Sequence, residues 1–200
     1  MRQIILALTA ALAMFATAHG WGAEAPAGKN VQQHESARQQ LAESMLTDIH
    51  QATWISEGSG PGVIYIFFDP NCPYCHQLYL HTRDWIKEGK AQLRWIPVGI
   101  LTTTSPGRAA ALLGADNPLQ AFYDNEDHYS HGGGIDEDIS TPEIDAKLKA
   151  NEALLARTRA GAVPLMLFRL KDGEPFLIEG SPPKEKLPII LRNLGSSGAG

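Results

Sequence analysis

The residues best suited to covalent chemistry are two cysteines that lie three positions apart, Cys72 and Cys75, in a chain of 200 residues. A cysteine thiolate is a nucleophile, and a C-x-x-C pair can open and close a disulfide by thiol–disulfide exchange. Two cysteines are too few for a disulfide scaffold or a four-thiolate zinc site. A bridge that closes so short a loop constrains little of the unfolded chain, so its structural value is small. The pair therefore predicts redox chemistry.

The position of the pair at the start of a helix would activate one sulfur. If Cys72 is the N-cap, Pro73 falls at the first helical position, where its missing N–H and fixed φ are tolerated. The N–H groups of Tyr74 and Cys75 then point at the Cys72 sulfur, and the helix dipole favours an anion there. We expect the pKa of Cys72 to lie well below the ~8.5 of a free cysteine.

The two cysteines should then have different roles. Cys75 lies one turn further into the helix and should keep a higher pKa. The expected mechanism has Cys72 attack a substrate disulfide and Cys75 attack the mixed disulfide to release the substrate. We assign Pro73 and His76 as residues that tune the thiols, and the alternative for His76 is a solvated helix residue.

A second proline-containing segment, Val163-Pro164, comes just before a predicted strand. Proline cannot donate to a sheet ladder, so it must sit at the start or edge of a strand. A cis Val163–Pro164 bond would hold the Val163 backbone open beside the Cys72 sulfur, where an extended peptide could pair with it. We therefore predict Val163, Pro164 and Tyr74 as substrate-binding residues.

The elements around these residues indicate an α/β domain. Residues 63–68 are β-branched or aromatic, typical of a strand buried on both faces, and a helical pattern follows the cysteines to about residue 88. Leu41, Met45, Ile49 and Ala52 form one stripe of an amphipathic helix between residues 30 and about 57. The remaining predictions are strands at 91–98, 165–170 and 175–179 and helices at about 106–114, 118–129, 142–159 and 181–194.

The N-terminus predicts export. A basic start at Arg2 is followed by 15 mostly apolar residues and a small-x-small end at residues 16–18, as in a secretory signal peptide. The alternative, an uncleaved anchor, would need about 20 apolar residues. The expected location is the periplasm, where disulfides persist. The formal net charge of −5, without a long Lys or Arg run, argues against a nucleic-acid partner.

Two other interpretations use the same residues, and a cluster of acids leaves two further ones open. C-x-x-C-H, here residues 72–76, is also the attachment motif of c-type haem, but it follows a buried strand, and a sheet-forming second half is not needed in a small cytochrome. A metal site from Cys72, Cys75, His76 and His81 would need adjacent side chains to converge. The acids at 124–127 and 136–138 form either a solvated face or an acidic rim that selects substrates.

Several segments together resemble one family. Residues 68–76 (Phe-Asp-Pro-Asn-Cys-Pro-Tyr-Cys-His), 89–94, 98–99, Ser105-Pro106 with its Ala run, and Val163-Pro164 are similar to DsbG, within the DsbC and DsbG family of periplasmic thiol–disulfide isomerases and reductases. The resemblance covers about residues 62–195. It implies a thioredoxin fold with a helical insertion at about 106–160 and no cofactor beyond a redox-active disulfide, Cys72–Cys75. It also implies a pair kept reduced by the membrane protein DsbD, and substrates that are misoxidised or sulfenylated exported proteins.

Within this resemblance, Cys72 and Cys75 match the active cysteines and Pro164 matches the cis-proline, whereas Val163 stands where the family usually has Thr. The predicted organisation is a signal peptide (1–18), a leader and linker helix (19–61), the catalytic domain (62–195) and a flexible tail (196–200). The relatives carry a dimerisation domain before the linker helix. Here the helix could support a homodimer through the stripe at residues 41, 45 and 49, or could pack on its own domain.

The predicted function is an exported thiol–disulfide oxidoreductase that acts as a reductase or isomerase on protein cysteines. A monomeric dithiol oxidase is the alternative within the same chemistry, and a chaperone-like binding module is the alternative outside catalysis.

Overall fold

The computed structural model of the protein describes residues 27–131, 133–159 and 161–196. The predicted signal peptide and residues 197–200 of the predicted tail lie outside these ranges. Among the described helices, none combines the length and the apolar character that crossing a bilayer requires.

The described strands form one five-stranded sheet with the order β1-β3-β2-β4-β5. The central strand β2 pairs in parallel with β3 and antiparallel with β4, and its side chains are mostly buried. The strands are β1 (Ile55–Glu57), β2 (Val63–Phe68), β3 (Gln92–Pro97), β4 (Leu165–Arg169) and β5 (Pro175–Glu179).

The described α-helices comprise α1 (Ala27–Thr47), α2 (Pro73–Lys87), α3 (Ser105–Gly114), α4 (Pro118–Asp127), α5 (Pro142–Ala156) and α6 (Leu187–Asn193). Helices α3 to α5 lie between β3 and β4, where the helical insertion was predicted. The start of α5 is as predicted, because the Thr141 side chain accepts the N–H of Ile144 and Pro142 occupies the first turn.

The edge strand β1 corrects the predicted linker helix. The helix between residues 30 and about 57 ends at Thr47, and Ile55 and Glu57 bury their side chains in a strand that pairs with β3. Glu57 can be buried here because its carboxylate accepts hydrogen bonds from Arg83 and from the Trp95 indole, the latter over 2.8 Å. The sheet therefore begins inside the segment 19–61 that was assigned to the leader and linker.

The apolar stripe of α1 packs on the chain's own sheet. Ala42 and Met45 are fully buried, and α1 lies against β4 and β5. At the margin of this contact, Arg169 forms a bidentate ion pair with Glu43. The helix was predicted either to support a homodimer or to pack on its own domain. In the structure it packs on its own domain, so the stripe is already covered.

Candidate active site

Cys72 is the N-cap of α2 and Pro73 lies in its first turn, as predicted. The Cys72 sulfur accepts the backbone N–H of Cys75 over 3.3 Å. The helix begins here because β2 ends at Phe68 and an Asp-Pro-Asn turn redirects the chain. Both cysteines are buried free thiols, with 2% of Cys72 and 1% of Cys75 exposed.

The pKa values of the two thiols are shifted in opposite directions. The hydrogen bond from the Cys75 side chain is the largest influence on the pKa of Cys72. Together with the N–H groups of Cys75 and Tyr74, it lowers this pKa to about 7, although burial and the Asp69 charge act in the opposite direction. Burial, followed by that hydrogen bond and the nearby Cys72 charge, raises the pKa of Cys75 well above its ordinary value. Near neutral pH, Cys72 thus supplies the thiolate and Cys75 keeps its proton.

The segment predicted to bind substrate lies against Cys72. The Val163–Pro164 peptide bond is cis, and the Cys72 thiol donates to the Val163 carbonyl oxygen over 3.5 Å. Val163 and Pro164 are buried, whereas Tyr74 is 64% exposed. The structure therefore brings the Val163 backbone to the sulfur and leaves the Tyr74 ring in solvent beside it.

Asp69 organises the site although the sequence analysis gave it no role. Its fully buried carboxylate accepts the N–H groups of Ile100 and Leu101, over 2.8 and 3.0 Å, and the Ser105 hydroxyl over 2.8 Å. It also accepts the N–H of Asn71. The sequence showed Asp69 only as part of a turn, because its partners lie more than 30 residues away. These bonds tie the loop 99–105 to the turn that carries Cys72.

Three exposed apolar side chains lie on this tied loop and at the start of α2. Tyr74, Ile100 and Leu101, which we call the apolar rim, are 64%, 41% and 47% exposed. Exposed apolar side chains next to a nucleophile offer contact area to a polypeptide. Ile100 and Leu101 belong to the site only through the fold, so no local pattern in the sequence could indicate them.

His76 joins the active-site helix to the helical insertion. Its Nδ1 lies 3.0 Å from Oε2 of Glu126, and its ring stacks on Tyr129 with a centroid separation of 4.4 Å. The Tyr129 hydroxyl in turn donates to the Asn71 carbonyl oxygen over 2.9 Å. His76 is thus a half-buried residue held by α4 and the turn that follows it, rather than a solvated one.

The acidic cluster divides into two kinds of residue. Glu126 is buried, with 2% exposed, and burial raises its pKa to about 8. Its placement corrects both interpretations of this acid, a solvated face and an acidic rim. Asp127 and the acids at 136–138 are exposed, as on a solvated face. Burial also lowers the pKa of His76, so both members of the His76–Glu126 pair favour their neutral forms.

No group of three or more His, Cys, Asp or Glu side chains is arranged to hold a metal ion within the described ranges. His81 does not join Cys72, Cys75 and His76 in such a group. The geometry around the cysteines is therefore that of a dithiol at a helix start.

Comparisons with known proteins agree with this geometry. A family described as a thioredoxin-like domain matches residues 50–195, a range that includes β1. The chain is 33% identical over 154 residues to the thiol:disulfide interchange protein DsbG of Pseudomonas aeruginosa, covering 76% of this chain and 60% of that protein. It is 31% identical over 156 residues to DsbG of Escherichia coli K12, covering 74% and 61%. The chain thus spans about three fifths of the length of these relatives.

A solved structure shows the same fold. The thiol-disulfide exchange protein α-DsbA2 of Wolbachia pipientis superposes with a TM-score of 0.59 at 16% identity, covering 78% of this chain and 97% of the other. At this identity the likeness concerns the fold, and it confirms the predicted thioredoxin fold with its helical insertion.

Proposed function

The chain belongs to the thioredoxin-like family, and from that premise we propose that it is an exported thiol–disulfide oxidoreductase in which Cys72 is the nucleophile and Cys75 the resolving thiol. The observation that carries the proposal is the position of Cys72 at the N-cap of α2, where its sulfur accepts the N–H of Cys75 over 3.3 Å. The lowered pKa of Cys72 and the raised pKa of Cys75 agree with these roles. The similarity to two DsbG proteins supports the same chemistry.

The reductive reaction proceeds in two exchanges. The Cys72 thiolate attacks one sulfur of a substrate disulfide, the substrate S–S bond breaks, and the other sulfur leaves as a thiolate. Cys75 then loses its proton and attacks Cys72, which releases the second substrate thiolate and leaves a Cys72–Cys75 disulfide. Two electrons have passed to the substrate, and the released thiolates take up protons. We propose that a membrane reductase of the DsbD type returns the pair to the dithiol.

Substrate binding would use the segment beside the sulfur. An extended polypeptide can pair with the Val163 backbone, which Pro164 keeps out of the sheet ladder, as in the addition of a strand. The Tyr74 ring and the other two members of the apolar rim add contact area. We propose exported proteins with disulfides or oxidised cysteines as the substrates.

Export itself rests on residues 1–18, whose pattern is that of a cleaved signal peptide. The expected product in the periplasm begins at His19. Mass spectrometry of the protein released by osmotic shock measures this end directly, and an intact N-terminus in the cytoplasmic fraction would contradict the proposal.

A dithiol oxidase is the second candidate, and two observations favour it. Stabilising the Cys72 thiolate stabilises the reduced form, which makes the disulfide a stronger oxidant. The covered stripe of α1 also removes one route to a dimer. A reduction potential near the ~−120 mV of strong oxidants would identify an oxidase, and a more negative value a reductase or isomerase.

The test compares Cys72→Ser with Cys75→Ser, a matched pair of single-atom changes. With glutathione as reductant, we expect Cys72→Ser to lose reduction of a protein disulfide. We expect Cys75→Ser to accumulate a mixed disulfide with the substrate that excess dithiothreitol releases, because attack can occur but resolution cannot. Full activity of Cys72→Ser in the cell would instead favour a binding module whose thiols are dispensable.

A further inference from the structure

Asn71, the residue directly before Cys72, has no part in the exchange steps described above. Its backbone N–H donates to the Asp69 carboxylate over 2.9 Å, and its carbonyl oxygen accepts the Tyr129 hydroxyl over 2.9 Å. Its side-chain oxygen accepts a hydrogen bond from Nη1 of Arg108 on α3 over 3.1 Å. Three different segments of the chain therefore bind the residue that precedes the nucleophile.

The side-chain nitrogen of Asn71 faces three hydroxyl groups at the end of the loop 99–105, which we call the hydroxyl cluster. This nitrogen lies 3.0 Å from Oγ1 of Thr102, 3.1 Å from Oγ1 of Thr104 and 3.0 Å from Oγ of Ser105. The three oxygens also contact one another, because Oγ1 of Thr102 lies 3.1 Å from each of the other two. The Asn71 side chain therefore joins the turn before Cys72 to the loop 99–105.

Arg108 fixes the orientation of the Asn71 side-chain amide. A guanidinium group can only donate hydrogen bonds, so the atom that faces it must be the side-chain oxygen of Asn71. The NH2 group then faces the hydroxyl cluster, whose oxygens can accept its two hydrogens. Because its two ends are held by different partners, the side chain cannot rotate without losing hydrogen bonds at both ends.

On the basis of the proposed exchange chemistry, we propose that Asn71 is a positioning residue that keeps the Cys72 sulfur aligned with the surface that contacts the substrate. The sulfur lies 3.5 Å from the Val163 carbonyl oxygen, and the loop 99–105, which Asn71 binds, carries two members of the apolar rim. A substrate held by both surfaces is attacked only where its disulfide meets the sulfur. A misplacement of about 1 Å can slow a reaction by about a hundredfold.

Asn71→Ala should separate the reactivity of the thiol from its use on a protein substrate. The N–H that reaches the Cys72 sulfur belongs to Cys75 within α2, so it is retained in this variant. Alkylation of Cys72 by iodoacetamide needs only the thiolate, and its rate should stay within about twofold of the wild-type rate. The kcat/KM for reduction of a protein disulfide should fall by about tenfold to a hundredfold. A variant that had merely loosened would expose Cys72 and be alkylated faster.

Asn71→Asp is the conservative variant that should restore activity. Its carboxylate can accept hydrogen bonds from the hydroxyl cluster and pair with Arg108, so the turn stays bound to the loop 99–105. Its negative charge raises the pKa of Cys72. The groups that already interact with Cys72 are common to the wild type and both variants, and they include Asp69, Cys75, Glu126 and Tyr129. Asn71→Asp should therefore reach the wild-type kcat/KM at a higher pH, whereas Asn71→Ala should stay low at every pH.

The matched control is Asn117→Ala. Asn117 caps α4 through its side chain, away from these contacts, so its removal should keep the wild-type kcat/KM. Equal kcat/KM for the wild type and a folded Asn71→Ala would overturn the inference, as would a loss that Asn71→Asp does not reverse at any pH. If the wild type and Asn117→Ala reduce the protein disulfide in those preparations, the proposed function stands even though the inference fails.

A second variant covers the case in which Asn71→Ala does not fold. Thr104→Val removes one hydroxyl of the cluster and keeps the shape of the side chain, so it weakens the same contact from the other side. We expect a smaller loss of kcat/KM for the protein disulfide, again without faster alkylation of Cys72. Unchanged kcat/KM in Thr104→Val would then overturn the inference.

Discussion

The reactivity of Cys72 is set by its nearest neighbours. The Cys75 thiol and the helix-start N–H groups stabilise the Cys72 thiolate, while burial and the Asp69 carboxylate oppose it. The helix-start contribution could be predicted from the spacing of C-P-x-C alone. The opposing charge could not, because nothing in the sequence shows that Asp69 is buried beneath the loop 99–105.

Removing the partner thiol tests this account of Cys72. In Cys75→Ala the largest stabilising hydrogen bond is lost, so the pKa of Cys72 should rise from about 7 by about one unit. The measurement is the rate of alkylation of Cys72 against pH. Cys75→Ser is the matched control, since its hydroxyl can still donate and should give a smaller rise. An unchanged profile in Cys75→Ala would show that the helix start alone sets the value.

Glu126 should make the stability of the reduced protein depend on pH. Its pKa is about 8 in the folded protein against an ordinary value of 4.5. Below the lower value both states hold the proton, and no difference arises. As the pH rises between the two values, the unfolded state releases a proton that the folded state keeps, so the folded state loses stability by up to about 1.4 kcal/mol per pH unit.

The corresponding experiment is chemical unfolding of the reduced wild type and Glu126→Gln across this pH range. The difference in unfolding free energy should shift steadily in favour of Glu126→Gln as pH rises, and should level off above the folded-state pKa. A difference that stays constant with pH would mean that Glu126 is ionised throughout, contrary to its burial.

The elements with local signals were predicted, and those defined by distant partners were not. The strands predicted at 165–170 and 175–179 are β4 and β5, and the helix predicted from residue 142 is α5. Strand β1 was missed because its three residues continue the polar, proline-free pattern of α1. The last helix was also misplaced. It was predicted from residue 181, but Pro183 holds an extended backbone and α6 begins at Leu187.

The packing of α1 on the sheet predicts that its stripe stabilises a single chain. Met45 is fully buried between α1 and the core, so Met45→Ala should lower the free energy of unfolding by about 2–5 kcal/mol. Denaturant unfolding measures this loss. Glu43→Gln, which removes only an exposed ion pair with Arg169, should cost less than about 1 kcal/mol. Equal effects of the two changes would contradict the packing of α1.

At the scale of the whole molecule, the covered stripe of α1 bears on assembly. The chain spans about three fifths of the two DsbG proteins it matches. The resemblance in sequence suggested a linker helix available for dimerisation, but sequence alone could not decide between a partner chain and the chain's own sheet. The deciding contact, between α1 and β5, joins residues more than 100 positions apart.

Solution mass tests the consequence of that contact. We expect sedimentation equilibrium at micromolar concentration to give the mass of one chain, for the wild type and for Leu41→Ser alike, because Leu41 packs against its own core. A wild-type dimer that dissociates in Leu41→Ser would contradict this prediction and restore the stripe as a subunit interface.

The carboxylate of Asp69 has a consequence for attempts to alter specificity. It accepts the backbone N–H groups of Ile100 and Leu101 and also that of Asn71 in the turn before Cys72. The surface that would contact a new substrate and the sulfur that would attack it are therefore held in place by the same carboxylate. The side chains at these two positions can be changed without loss of the hydrogen bonds between their backbone N–H groups and Asp69. Insertions or deletions in that loop would displace the amides that Asp69 binds and would thereby disturb the turn that carries Cys72.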